Sequence, residues 1–274
     1  MFPVRFLNDA AIGGGFFMLN VFEQAVLDAG RAILDVYSAG PDVRIKVDAS
    51  PVTEADHRAE AIILERLAAH YPDIPVVAEE SAAAGVLPDI EGSEFFLVDP
   101  LDGTKEFIAR NGEFTVNIAL IRDGAPVAGI VYAPACGVAY SGNGEGAEKL
   151  TVEDFRIVAR RPIHARLPDS PVVAVASASH RSGDVEVYLD AQGISSCLYS
   201  GSSLKFCLLA EGSADIYPRF NRTMEWDTAA GDAVLRAAGG MTLGSEHEPL
   251  RYGKTGENGE RFVNPHFIAF GRRK

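Results

Sequence analysis

The chain has 274 residues, 47% hydrophobic and 23% charged, with a formal net charge of −13. That is enough chain for one large domain or two modest ones with a sizeable core, and the composition excludes disordered and fibrous architectures. The acidity repels nucleic-acid backbones, and no run of Lys and Arg supplies the basic stripe that binding them needs, so part of the negative charge is available for cations instead.

Residues 1–17 stand apart, because Gly13-Gly14-Gly15 interrupts a short apolar stretch just ahead of Met18. They read either as an extension from an upstream start or as a strand or arm. From Val21 to Tyr37 apolar residues recur at helical spacing and Gly40-Pro41 supplies the stop. A second helix begins after Thr53, an N-cap with Asp56 at the capping-box position, and runs to about His70. Pro75–Ala78 and Phe95–Val98 are short apolar runs that end in acidic residues, as buried strands do when their ends open into a site.

Phe114–Ile121 and Pro126–Tyr132 flank Asp123-Gly124, the strongest hairpin signal in the chain, and Val138–Tyr140 extends the sheet. The polar, glycine-rich stretch Ser141–Glu148 reads as a separator between two halves, 18–148 and 149–274. The first half reads as α+β. In the second, Val172–Ala176, Ile194–Tyr199 and Ala214–Tyr217 alternate with helical stretches, an α/β pattern. Cys136, Cys197 and Cys207 are odd in number and lack C-x-x-C spacing, which argues against a disulfide framework or a zinc site. No apolar run approaches the roughly 20 residues of a membrane span. Arg5 and Asp9 stand near the start without a cleavage site. The expectation is a cytoplasmic protein, with peripheral membrane association and the choice between monomer and homodimer left open.

The most informative segment is Phe95-Phe96-Leu97-Val98-Asp99-Pro100-Leu101-Asp102-Gly103-Thr104-Lys105, a buried strand that breaks into a turn with two carboxylates. Pro100 forces Asp99 out of the helical region and Gly103 permits an unusual backbone angle, so Asp99 and Asp102 can converge while a carbonyl between them turns inward. Two carboxylates and a carbonyl suit Mg²⁺, which takes oxygen ligands and keeps several waters. A short helix after Gly103 would turn its first free N–H groups, at Gly103 and Thr104, toward a bound phosphate.

This segment resembles the Asp-Pro-Ile/Leu-Asp-Gly-Thr signature of the inositol-monophosphatase-like superfamily. Three further elements resemble that family in the expected order: Pro51-Val52-Thr53-Glu54-Ala55-Asp56, Val76-Val77-Ala78-Glu79-Glu80-Ser81 and Trp226-Asp227-Thr228-Ala229-Ala230-Gly231-Asp232. The resemblance implies a layered α/β/α/β/α sandwich, as in inositol monophosphatase and fructose bisphosphatase. It implies that Glu79, Asp99, the Leu101 carbonyl, Asp102 and Asp227 ligate two or three Mg²⁺, with Asp56 helping to hold or activate water. Within the superfamily the chain is similar to the 3′(2′),5′-bisphosphate nucleotidases, through Lys105–Ile121 and Gly201-Ser202-Ser203-Leu204-Lys205-Phe206-Cys207. That similarity implies hydrolysis of adenosine 3′,5′-bisphosphate to AMP and phosphate, inhibition by Li⁺ and Ca²⁺, and a role in sulfur metabolism. It implies that His180, Ser202, Lys205 and Arg219 contact the nucleotide or its retained phosphate, and cationic donors are indeed what an uncleaved phosphate needs. An inositol monophosphatase or a broader sugar-phosphate phosphatase is the alternative within the same superfamily.

The expected reaction is in-line attack on phosphorus by water activated between two ions about 3.5–4 Å apart. Asp99 reads as the bridging ligand, with Glu79 completing one ion and Asp102 with Asp227 the other. Thr104 would orient the nucleophile by donating to Asp56 or Glu79. Asp227 also reads as an N-cap of the helix that follows, Trp226 as packing, and Glu80 and Glu106 as structural.

Two other classes compete. A metal-binding module without catalysis explains the carboxylates but not a phosphate-facing turn with Thr104. Ser202-Ser203-Leu204-Lys205 and Lys254-Thr255-Gly256 match two serine acyl-transfer signatures, but no Ser-Asp-Asn lies between them. Nor is Gly253-Lys254-Thr255 a phosphate-binding P-loop, since Glu248 stands where a glycine is required.

Overall fold

The computed structural model describes residues 11–40, 42–46, 51–90, 94–177, 183–256 and 260–273. The chain opens with α1 (Ala11–Ala39), which buries Phe22, Ala25, Val26, Ala29 and Ile33 along one face. This helix starts earlier than its apolar periodicity predicts and passes through Gly13-Gly14-Gly15. Glycine costs about 1 kcal/mol per helical position relative to alanine, yet a helix already nucleated by a packed downstream stretch propagates through it. Positions 11–17 are therefore helix rather than a strand or arm, and residues 1–10 lie outside the described residues.

A short ribbon of β1 (Val43–Ile45) and β2 (Pro51–Thr53) leads into α2 (Glu54–His70). The capping box forms as the sequence predicts: Thr53 Oγ1 accepts from the Ala55 N–H at 3.1 Å, and Asp56 Oδ2 accepts from the Thr53 N–H at 2.8 Å. Next come β3 (Val76–Ala78), the one-turn α3 (Glu79–Ala83), β4 (Glu94–Asp102), α4 (Thr104–Ile108), β5 (Thr115–Arg122) and β6 (Ala125–Ala133). The β5–β6 hairpin turns at Asp123 and Gly124, both at positive φ, as Asp-Gly turns demand.

Strands β7 (Val138–Asn143), β8 (Gly146–Glu153) and β9 (Arg156–Ile163) complete a seven-stranded sheet in chain order, antiparallel except for the β3–β4 pair. The expected division at 148/149 falls inside β8. Ser141–Glu148 is a hairpin in which Asn143 pairs with Gly146, and a tight turn uses the same Gly and Asn residues as a linker. The chain changes sheets between Ile163 and Val173 instead.

The second half comprises β10 (Val173–Ser177), α5 (Gly183–Ala191), β11 (Ser196–Ser200), α6 (Leu204–Ala210), β12 (Ile216–Arg219), α7 (Ala229–Ala237), β13 (Met241–Gly244) and β14 (Phe267–Phe270). Its five strands run in the order β11-β10-β12-β14-β13, with β14 antiparallel to both neighbours.

Alternation along the strands builds the layers. Phe96, Val98, Ile118 and Leu120 pack against α1 and α2, whereas Phe95, Leu97, Ala119 and Ile121 join Phe206 and Leu209 of α6, Ala230 and Val234 of α7 and Phe267 of β14. Ala174 and Ile216 on the far face of the second sheet meet Leu189 of α5. The result is the expected α/β/α/β/α sandwich. Helix α7 lies so close to the first sheet that a Cβ on Gly129 would stand 2.8 Å from the Ala230 carbonyl oxygen, and one on Gly142 2.9 Å from Val234 Cα. Among the described residues no helix is long and apolar enough to cross a membrane.

Candidate active site

On β4 the alternation that sends Phe95 and Leu97 toward α6 and α7 sends Asp99 the same way. Pro100 has no N–H to give the ladder, and pairing with β5 slips by one residue between Asp99 and Asp102, a bulge that re-aims the strand end. Asp99 Oδ1 accepts from the Leu101 N–H at 3.0 Å, and Gly103 turns the chain at φ +89°. The outcome is a cleft of about 270 Å³ between the halves. Glu79, Asp99, Leu101, Asp102, Gly103 and Thr104 line it from one side, Ser202, Lys205, Arg219 and Asp227 from the other.

Glu79 is the first residue of α3, and the buried Glu60 fixes that helix start by accepting from the N–H groups of Glu80 at 2.8 Å and Ser81 at 2.9 Å. Lys46 Nζ reaches Glu79 at 2.8 Å and Glu80 at 2.6 Å. Burial lowers the Lys46 pKa, but the two carboxylates outweigh it and the net shift is upward. Burial pushes Glu80 up to about 7 even so.

Three of the aspartates that face the cleft are raised as well. Burial raises Asp99 well above the usual range, and Glu79, Asp102 and Asp227 raise it further. Asp227 moves the same way, through burial and then through Asp102 and Glu79. Asp102 is pushed up to about 6, chiefly by burial, with Lys205 opposing. Such a set is poised for cations, which remove both the desolvation and the repulsion penalty. Among the described residues no three His, Cys, Asp or Glu side chains stand close enough together to grip a metal ion as they are placed. The carboxylates instead face a shared open space, which suits an ion that keeps part of its water. No His or Cys stands among the described residues lining the cleft, so the donors are hard oxygens fitted to Mg²⁺ and not to Zn²⁺.

Asp227 does not cap the helix after it: Thr228 holds the N-cap position without a side-chain bond, and Asp227 Oδ2 accepts instead from the Met224 N–H at 2.8 Å. Asp56 Oδ1, on a carboxyl whose pKa burial has raised, lies 3.4 Å from Thr104 Oγ1, which is equally 3.4 Å from the Leu101 carbonyl. Trp226 packs beside Phe262, Glu80 pairs with Lys46, and Glu106 is buried beside the turn.

Of the residues expected to touch substrate, Lys205 is buried on α6, where burial lowers its pKa to about 8, and its Nζ donates to the Ser200 and Ser202 carbonyls. Arg219 ends β12 at the cleft, and its buried Nε has no hydrogen-bond partner. Ser202 lines the cleft, yet its hydroxyl is drawn to the carbonyls of Asp102 at 2.8 Å and Glu113 at 2.7 Å. It adopts φ +49° to do so. Facing carbonyls and not the Lys205 amine, Ser202 lacks the nucleophile–base contact that acyl transfer requires. His180 lies outside the described residues.

The model of the inositol monophosphatase family matches residues 17–266. The chain belongs to the inositol monophosphatase family. Among its curated relatives, the 3′(2′),5′-bisphosphate nucleotidase CysQ of Escherichia coli (strain K12) is 45% identical over 252 residues, 91% of this chain and 98% of that protein. The solved structure of CysQ from Bacteroides thetaiotaomicron, described as a bacterial member of the inositol monophosphatase family, has a TM-score of 0.76 and 38% identity, covering 94% of this chain and 99% of its own. The suppressor protein suhB of Bartonella henselae has a TM-score of 0.70 at 26% identity, with 93% of each chain covered.

Sequence reasoning did not reach two contributors to the site in this family member. Glu60 belongs to none of the motifs, although its position one turn after Asp56 puts both on one face of α2. Lys46 left no local signal, since its partners are 33 and 34 residues away.

Proposed function

We propose that the chain is a Mg²⁺-dependent phosphomonoesterase of the cytoplasm that hydrolyses adenosine 3′,5′-bisphosphate to AMP and phosphate, using two or three ions. The observation that carries this reading is the division of the cleft. One wall gathers Glu79, Asp99 and Asp102, and the facing side offers Asp227 together with the cations Lys205 and Arg219. A substrate with one phosphate to cleave and another to hold needs both kinds of wall. The name shared by curated relatives at 45% identity supports the same substrate.

Glu79, Asp99, Asp102, Asp227 and the Leu101 carbonyl would hold the ions. Bound there, Mg²⁺ supplies Lewis acidity that neutralises phosphoryl charge and makes water a stronger acid. The Thr104 hydroxyl would accept a hydrogen bond from the attacking water and take that water's proton as its own passes to Asp56 Oδ1, whose raised pKa favours accepting it. Gly103 and Thr104 open α4 at the turn, where the first N–H groups have no intrahelical partner and can meet the phosphoryl oxygens. Lys205 and Arg219 receive the retained phosphate, Arg219 through its unpaired Nε.

Phosphate release by the purified protein tests the proposal. With Mg²⁺, release from adenosine 3′,5′-bisphosphate should outpace release from inositol 1-phosphate, and a chelator should stop both. The opposite ranking removes the nucleotide substrate, and release indifferent to Mg²⁺ removes the metal-dependent reaction.

A further inference from the structure

Strand β5 carries two polar side chains on a face that is otherwise apolar. Ala119 and Ile121 face α6 and α7, and Thr115 and Asn117, 0% and 1% exposed, complete that face. Buried polar groups are costly without partners, and here the partner comes from the other half of the molecule. The buried Ser203 hydroxyl donates to Asn117 Oδ1 at 2.7 Å. Having spent its only proton, it accepts from the Thr115 hydroxyl at 2.9 Å. This leaves the Asn117 NH₂ buried and with no hydrogen-bond partner.

The position of that orphan donor is informative. Asn117 stands opposite Asp99 in the β4–β5 ladder, and Thr115 stands opposite Asp102. Side chains paired in this way share a face and approach one another. Asp99 commits one carboxylate oxygen to the Leu101 N–H, and the Ser203 backbone N–H donates to the Asp102 carboxylate. One serine of the C-terminal half therefore touches the metal turn twice, through its amide at Asp102 and through its hydroxyl at the residue facing Asp99. An apolar residue of similar size at 117 would have packed without leaving a donor unpaired.

We propose that Asn117 is a positioning residue for the metal site: its NH₂, unpartnered in this structure, becomes the donor to the Asp99 carboxylate opposite it when that carboxylate holds an ion, with Ser203 fixing the amide's orientation from across the interface between the halves. The inference rests on the reading of Asp99 as a Mg²⁺ ligand and extends it to a residue that touches neither ion nor substrate.

The test compares Asn117→Leu with the triple variant Thr115→Val/Asn117→Leu/Ser203→Ala, in which every member of the cluster becomes apolar together. Removing both partners of a buried hydrogen bond restores most of the stability that removing one forfeits. Calorimetric titration with Mg²⁺ alone should show binding about 10- to 100-fold weaker than wild type in both variants, the range typical of a lost outer partner of a metal ligand. The melting temperature of the metal-free triple variant should recover toward wild type while its Mg²⁺ affinity does not. With excess Mg²⁺, the deficit in phosphate release should fall on kcat and not on KM. A triple variant that regains Mg²⁺ affinity along with its melting temperature, or an Asn117→Leu variant that binds Mg²⁺ as wild type does, reduces Asn117 to a structural role and overturns the proposal. Because Mg²⁺ binding is read without substrate, a wild-type chain that binds Mg²⁺ but leaves the bisphosphate intact would remove the proposed function alone.

Discussion

Ser202 in the second half of the chain holds the carbonyl oxygen of Asp102 in the first, with its hydroxyl 2.8 Å away and the Glu113 carbonyl sharing the contact at 2.7 Å. The contact fastens one acidic turn to a loop a hundred residues distant in sequence, and Ser202 takes up a left-handed backbone to make it. That backbone costs a non-glycine residue about 1 kcal/mol. Ser202→Gly and Ser202→Ala lose the same hydroxyl, but only the glycine variant sheds the strain. Both should release phosphate roughly tenfold more slowly, on the scale of one lost hydrogen bond. Thermal denaturation should find the glycine variant the more stable, and an alanine variant equal to it would argue against strain at this position.

Proton linkage gives the carboxylate cluster a signature in metal-free protein. Asp102 is pushed up to about 6 and Glu80 to about 7, with Asp99 and Asp227 also raised. Between the unfolded carboxylate values near 4 and these folded ones, the folded chain binds more protons than the unfolded chain. Stability contributed by these groups therefore falls as pH rises through that window. In a chelator, the melting temperature should decline from about pH 5 to about pH 7. Saturating Mg²⁺ should flatten or reverse the trend, since it binds the deprotonated set. A chelated protein that gains stability across this range contradicts the expectation.

Asp227→Asn separates the cluster's two effects. The amide oxygen can still accept from the Met224 N–H, which holds the carboxylate at 2.8 Å, while the buried like charge is removed. Metal-free protein should therefore melt a few degrees higher, at about 2–4 °C per kcal/mol for a chain of this size. Mg²⁺-dependent phosphate release should drop about a thousandfold, the scale of several kcal/mol of lost metal-derived stabilisation. Parallel loss of stability and activity would mean that Asp227 holds the fold and not an ion.

Helix α7 transmits its position to Asp227, which stands two residues before it. A methyl group on Gly129 would press on the Ala230 carbonyl, a backbone atom that cannot rotate away. Gly129→Ala should cost about 1–3 kcal/mol of stability and raise the Mg²⁺ concentration needed for half-maximal activity. Gly144→Ala serves as its control, because a Cβ there meets nothing within 4 Å. Equal effects of the two substitutions would dissociate α7 packing from the site.

What could be read ahead of the structure was what short stretches encode. Thr53 with Asp56, Asp123 with Gly124, and Pro100 with Gly103 each fix a local backbone shape, and each shape forms where expected. The misreadings arose where one residue type serves two purposes. Gly144-Glu145-Gly146 closes a hairpin with the chemistry of a linker, and Asp227, placed like a helix cap, binds backward to Met224. The Ser202 hydroxyl, expected to meet substrate, is engaged by carbonyls 89 and 100 residues away, a pairing that only the docking of the two halves brings about.

Asp56 divides its carboxylate between two employers. Oδ2 accepts from the Thr53 backbone and hydroxyl, both at 2.8 Å, while Oδ1 turns to Thr104. An amide in its place could keep its single oxygen on the first turn of α2, but it would turn an NH₂ toward Thr104, which can donate to the hydroxyl and cannot take its proton. Architecture and reactivity thus sit on the two oxygens of one functional group, a division that the isosteric amide would expose by keeping the first and losing the second.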